Sequence, residues 1–288
     1  MPLSGDARAA IGFLVPGAAA GLVAVAFSRL LIEPLISAAV DYEGAREHVE
    51  AQLAGGGDHG HDHELFTRAV QENVGAAVGV IVFGIAMGIL FAVVHHVVRG
   101  VLVRRGFRPD ASALALLVAA GMFVAIALAP GLKYPANPPT VGLEDTIGAR
   151  SSAFLTMTVV SVVTAGVALA AGLAWARRWG GWRAAGAAVS GYAAVILTAM
   201  LLLPNFHEVP GPIVGPDGLL LDGFPAEVLG EFRVYSMAVH ALTWLVIGVL
   251  SGILGGRGRT AARRPASGSV PHAVNVVAPS ATSKSSTP

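Results

Sequence analysis

Residues 55–66 read Gly-Gly-Gly-Asp-His-Gly-His-Asp-His-Glu-Leu-Phe, three histidines alternating with acids in one short tract. Imidazole and carboxylate together suit borderline divalent metals such as cobalt, nickel, zinc and copper, whereas an oxygen-only cluster would suit calcium or magnesium. In an extended chain His59, His61 and His63 point to one face; in a helix only His59 and His63 do. At least two imidazoles can therefore converge, with Asp58 and Asp62 beside them. Such a glycine-flanked tract has no preformed cage, so composition alone predicts modest affinity and little selectivity. Four more histidines, His95, His96, His207 and His240, lie within or beside long apolar runs. Ionisable groups at that depth are rare and usually face a bundle interior or a pathway. For His95 and His96 a headgroup-binding pair beside Arg99 competes with a ligand role. His240 could instead be satisfied by a neighbouring polar side chain or carbonyl. Methionines 87, 122, 157, 200 and 237 also fall in these runs; thioethers can bind soft ions, but single methionines in helices read first as packing.

The elements that must position these groups follow from composition. The 288 residues are 54% hydrophobic and 13% charged, with mean hydropathy +0.67, which places the chain among membrane proteins. Cysteine is absent, which excludes disulfides, thiolate metal sites and cysteine nucleophiles. Six uncharged runs are long enough to span: 9–28, 73–98, 111–132, 151–176, 184–207 and 234–256. Each is read as a helix, because lipid offers the backbone no hydrogen-bond partners. Ala24-Val25-Ala26 resembles a signal cleavage site, but the run before it exceeds the usual length of a signal core, so the first span is kept as an anchor. The expected fold class is all-α, a polytopic membrane helix bundle of about six transmembrane helices. Pairs such as Gly17/Gly21, Gly75/Gly79 and Gly84/Gly88 let helices approach closely.

Basic residues are retained on the cytoplasmic side. Arg99, Arg104, Arg105 and Arg108, then Arg177, Arg178 and Arg183, then Arg257, Arg259, Arg263 and Arg264 mark alternate connections, so both termini are expected to be cytoplasmic. Nearly all the acid falls in the other connections. The transmembrane domain is expected over 1–254, with an outer histidine-rich loop at 33–72 and outer proline-rich loops at 132–150 and 208–233; residues 255–288 read as a disordered tail. One amphipathic turn is expected around Tyr42 to Leu53 in the first loop, and Arg29 and Glu33 are spaced to pair on one helix face.

Two outer loops carry more than composition: Lys133-Tyr134-Pro135-Ala136-Asn137-Pro138-Pro139, and Glu208-Val209-Pro210 followed by Gly223-Phe224-Pro225-Ala226-Glu227-Val228-Leu229. Their proline density makes them stiff and non-helical. With a histidine tract ahead of the second span, they resemble the CbtA family of predicted cobalt transporter subunits over most of residues 10–254. The resemblance implies cobalt uptake into bacteria through the plasma membrane, a link to cobalamin biosynthesis, and a small single-span histidine-rich CbtB-like partner. It implies a metal-handling role for His59, His61 and His63; His207, His240, His95 and His96 come from the reading of the spans.

No GxxxxGK[ST] phosphate loop and no HExxH motif is present, so neither ATP-driven pumping nor zinc hydrolase chemistry is expected, and the chain is not read as an enzyme. No tightly bound cofactor is expected. The metal is expected as cargo, Co2+ as the resemblance implies, with Ni2+ or Zn2+ left open by the residues themselves, and no nucleic-acid partner is expected. A dication moving inward gains about 4.6 kcal/mol per 100 mV, from about 2.3 kcal/mol per elementary charge. The alternative reading is a non-transporting accessory or metal-sensing subunit of another permease.

Overall fold

The computed structural model describes residues 5–55, 65–142, 144–206 and 208–262. Among these, six helices are long and apolar enough to cross a membrane. Asp58, His59, His61, Asp62, His63 and His207 lie outside the described residues, as does the chain beyond 262. The helices are α1 (Gly5–Phe27), α2 (Glu33–Leu53), α3 (Leu65–Arg104), α4 (Ala111–Met122), α5 (Ala129–Lys133), α6 (Glu144–Trp179), α7 (Gly181–Leu202) and α8 (Ala226–Ala262). A two-stranded antiparallel hairpin, β1 (Ile213–Gly215) and β2 (Gly218–Leu221), sits in the connection before α8.

Several expected boundaries move outward. The loop at 33–72 contains a full helix, α2, rather than a single turn; α6 takes over the second half of the 132–150 loop; α8 begins at Ala226 and continues to Ala262, past the expected start of the tail. The reason is the same each time. A charged residue ends an apolar run, but it does not interrupt the main-chain hydrogen bonds of a helix. The continuous rod from Leu14 to Leu53 has 40 residues, roughly 60 Å at 1.5 Å per residue. That is about twice the ~30 Å hydrocarbon core, so the acidic α2 stands outside it.

Two π-helical turns interrupt the rods, at Ser28–Ile32 and Phe123–Leu128. The Glu33 amide donates to the Ser28 carbonyl, and the Ala129 amide to the Val124 carbonyl, each five residues back. Pro34 and Pro130 follow immediately. A proline has no N–H and its ring clashes with the carbonyl four residues earlier, so the turn ahead of each one widens. Arg29 pairs with Glu33 at 2.6 Å across the first of these turns, as the spacing predicts.

Close backbone approach organises the bundle. A Cβ on Gly17 would lie 2.6 Å from the Gly84 carbonyl oxygen, and one on Gly84 would lie 2.7 Å from that of Gly17, so α1 and α3 meet main chain to main chain. On the other side α8 crosses α4, where a Cβ on Gly252 would lie 3.1 Å from Ser112 Cα. Asp110 caps α4 by accepting from the Ser112 and Ala113 amides at 2.9 and 3.0 Å. Buried Ala20, Phe91, Ala115, Val118, Trp244 and Ile247 form the core between α1, α3, α4 and α8. α6 and α7 form a separate hairpin, packed against the bundle through the second π turn and α5. Gly84→Leu should therefore lower thermal stability in detergent by about 1–3 kcal/mol or more from overpacking. Gly75→Leu, whose added Cβ meets open space, should leave the melting curve in place.

Candidate functional site

Along α8, residues 233, 236, 237, 240, 243 and 244 recur at spacings of three and four and so share one face. That face carries Arg233, Ser236, Met237, His240, Thr243 and Trp244, and it forms one wall of a cavity of about 540 Å³. Phe83 and Met87 of α3 form a second wall, Ile126 and Ala127 of the π turn with Gly131 a third, and Arg150, Ser151, Phe154 and Thr158 of α6 the fourth. Tyr134, Pro135 and Ala136 of the proline-rich loop border one end. Buried Thr243 and Trp244 lie deeper, toward the arginine-rich end of the bundle.

Two local details shape the interior. Gly131 lets Met237 lie flat against its helix, since a Cβ there would come 2.5 Å from the Met237 methyl. The His240 ring meets Phe83 edge-on, with centroids 6.5 Å apart and planes at 73°. The cavity thus offers one imidazole, the thioethers of Met87 and Met237, and the hydroxyls of Ser236 and Thr243. No carboxylate lines it among the described residues.

At the loop end the two proline-rich segments are tied together by their own polar residues. Lys133 Nζ donates to Asn205 Oδ1 at 2.6 Å, and Tyr134 OH donates to the Pro204 carbonyl at 2.9 Å. Burial pushes the Tyr134 phenol above its ordinary range, which keeps it a neutral donor. Glu208, only 5% exposed, accepts from Thr146 Oγ1 at 2.6 Å and Asn137 Nδ2 at 3.3 Å, and pairs with Arg150 Nη1 at 2.8 Å. Arg150 Nη2 also donates to the Pro135 carbonyl at 2.5 Å. Arg233 Nη2 donates to Asn137 Oδ1 at 2.9 Å, while its buried Nε has no hydrogen-bond partner among the described residues.

Of the histidines expected to handle metal, His240 alone lines this cavity among the described residues. His95 lies twelve residues beyond Phe83 on α3, roughly 18 Å further along the axis. It stacks on Phe91 with centroids 5.6 Å apart, and its buried Nε2 has no hydrogen-bond partner among the described residues. His96 is exposed. The structure therefore does not bring His95 and His96 to His240, and no group of three or more His, Asp or Glu among the described residues could hold a metal ion. Arg150, Arg233 and Ser236 are site residues that the sequence does not single out, whereas Asn137 and Glu208 belong to the proline-rich segments named above. The three- and four-residue recurrence from Arg233 to Trp244 is the signal that would have found the α8 face. Met87 and Met237, expected as packing, face the cavity, whereas Met122 and Met157 are core.

Residues 9–255 match the family described as "Probable cobalt transporter subunit (CbtA)". No curated protein and no solved structure gives a significant match.

Proposed function

Because the chain belongs to the CbtA family of probable cobalt transporter subunits and is a multi-pass membrane protein, we propose that it takes up a divalent transition metal, cobalt ahead of nickel or zinc, across a bacterial plasma membrane. Both termini are then cytoplasmic and the proline-rich loops face outward. His59, His61 and His63, with Asp58 and Asp62, gather the ion at the outer face, His207 is a further candidate ligand, and the cavity at His240 is the passage. His95 and His96 lie toward the inner side. The observation that carries this reading is the cavity itself, which sets an imidazole and two thioethers within the membrane-spanning bundle. One imidazole with two soft thioethers is a weak site, and a pathway needs binding loose enough for release. As a subunit the chain works with a partner, for which a small single-span CbtB-like protein is the candidate.

The test is the cobalt, nickel and zinc content, by mass spectrometry, of cells lacking their own uptake systems. Cells carrying this chain, alone or with a small histidine-tailed partner, should accumulate cobalt above vector controls. The triple change His59→Ala, His61→Ala, His63→Ala should lower uptake roughly two- to fivefold at scarce external metal by removing the local supply, and should have no effect at saturation. No rise in any metal, with or without the partner, would replace the transport reading with a non-transporting accessory.

A further inference from the structure

The cavity's charge differs from what a bare cation needs. Its loop end is lined by two guanidiniums, Arg150 and Arg233, and by no carboxylate among the described residues. Arg150 is neutralised by the buried Glu208 at 2.8 Å. Arg233 reaches the neutral Asn137 amide, and its Nε has no partner among the described residues. Two guanidiniums less one carboxylate leave a net positive charge at the mouth, which repels a dication and attracts an anion. Because Nε is buried, a planar oxyanion would be held through the Nη1 and Nη2 edge of the guanidinium, which can offer two parallel hydrogen bonds.

We propose that this cavity takes its metal as an anionic chelate, a small oligocarboxylate complex, with a free carboxylate held by Arg233 and the metal toward His240 and the two thioethers. The proposal rests on the transport reading for its cargo and deepens it by naming the form in which that cargo arrives. The two ends of the cavity then act differently, the arginine end recognising the organic anion and the histidine end meeting the metal. A lipid phosphate would satisfy the same guanidinium, but Arg233 lines an interior cavity alongside α3 and α6 rather than the outer surface of the bundle.

Calorimetric titration of the purified full chain in zwitterionic detergent separates these sources. Preformed cobalt citrate should bind at least tenfold more tightly than cobalt chloride, and more tightly than citrate alone. Arg233→Gln should erase that tenfold advantage, and Arg233→Lys, which keeps the charge without the fork, should lose part of it. The Lys variant serves if the Gln variant does not fold, and thermal unfolding reports which case holds. Cobalt chloride binding as well as the chelate, citrate alone binding equally well, or displacement of the chelate by phosphatidylglycerol would each overturn the proposal. Cellular cobalt measured in parallel keeps the two readings apart. Tight chelate binding without accumulation sinks transport and leaves the site, whereas accumulation without a chelate preference sinks the site and leaves transport.

Discussion

Glu208→Ala should destabilise the protein by about 3–5 kcal/mol, the usual cost of removing one partner from a buried ion pair. The carboxylate is 5% exposed and joins Thr146 and Arg150 of α6 to Asn137 of the proline-rich loop. Its loss strands the partly buried Arg150 and frees Asn137, the residue that links this network to Arg233. Glu208→Gln, which keeps an acceptor for Thr146 while losing the charge, should cost less. The check is thermal or denaturant unfolding in detergent, with Arg150→Met and the double change Glu208→Gln/Arg150→Met completing a cycle. A double variant much more stable than the sum of the singles is expected. Strict additivity would mean that the pair does not act as a unit.

His240→Phe should reduce cobalt accumulation at least tenfold, a loss of about 1.4 kcal/mol or more at the rate-limiting step. A phenyl ring keeps the shape and the edge contact with Phe83, so folding and membrane level, read by immunoblot and melting curve, should stay close to wild type. Because His95 and His96 lie outside the cavity, His95→Phe and His96→Ala should each change uptake by less than about twofold. Normal uptake in a well-folded His240→Phe protein would mean that the metal does not pass this cavity.

The spans were legible in the sequence because six apolar runs bounded by charge have few other physical outcomes in a membrane. Their ends were less so. Arg150 and Arg233 immediately precede the uncharged runs 151–176 and 234–256, yet both lie on helices that begin before them, which carries them to the cavity wall. The specificity of the Lys133–Pro139 and Glu208–Pro210 segments was visible, but not its cause. Lys133 with Asn205, Tyr134 with Pro204 and Asn137 with Glu208 are partners about seventy residues apart, and no local periodicity reports such pairing. α2 was missed for a different reason. Its acids end the apolar run before it, although Leu35, Ala39 and Tyr42, at spacings of four and three, pack on Phe232 and Phe224, with Tyr42 against Phe224 at 5.2 Å. His240 could be placed from sequence because it falls two turns beyond Arg233 on one helix face.

The central place of α8 bears on how the protein is made. It follows the other five described spans in the sequence, yet it lies against both α1 and α4. During synthesis the α1–α3 pair and the α6–α7 hairpin can each form from neighbouring spans, but Trp244 and Ile247, among the most buried residues of the core, reach the membrane only after α1 to α7 have been made. Until then the faces of α1 and α4 that α8 will cover are in contact with lipid. A ribosome that stops before Ala226 therefore releases helices without a cavity, and the quality-control machinery of the cell meets a chain whose α1 is still waiting for α8.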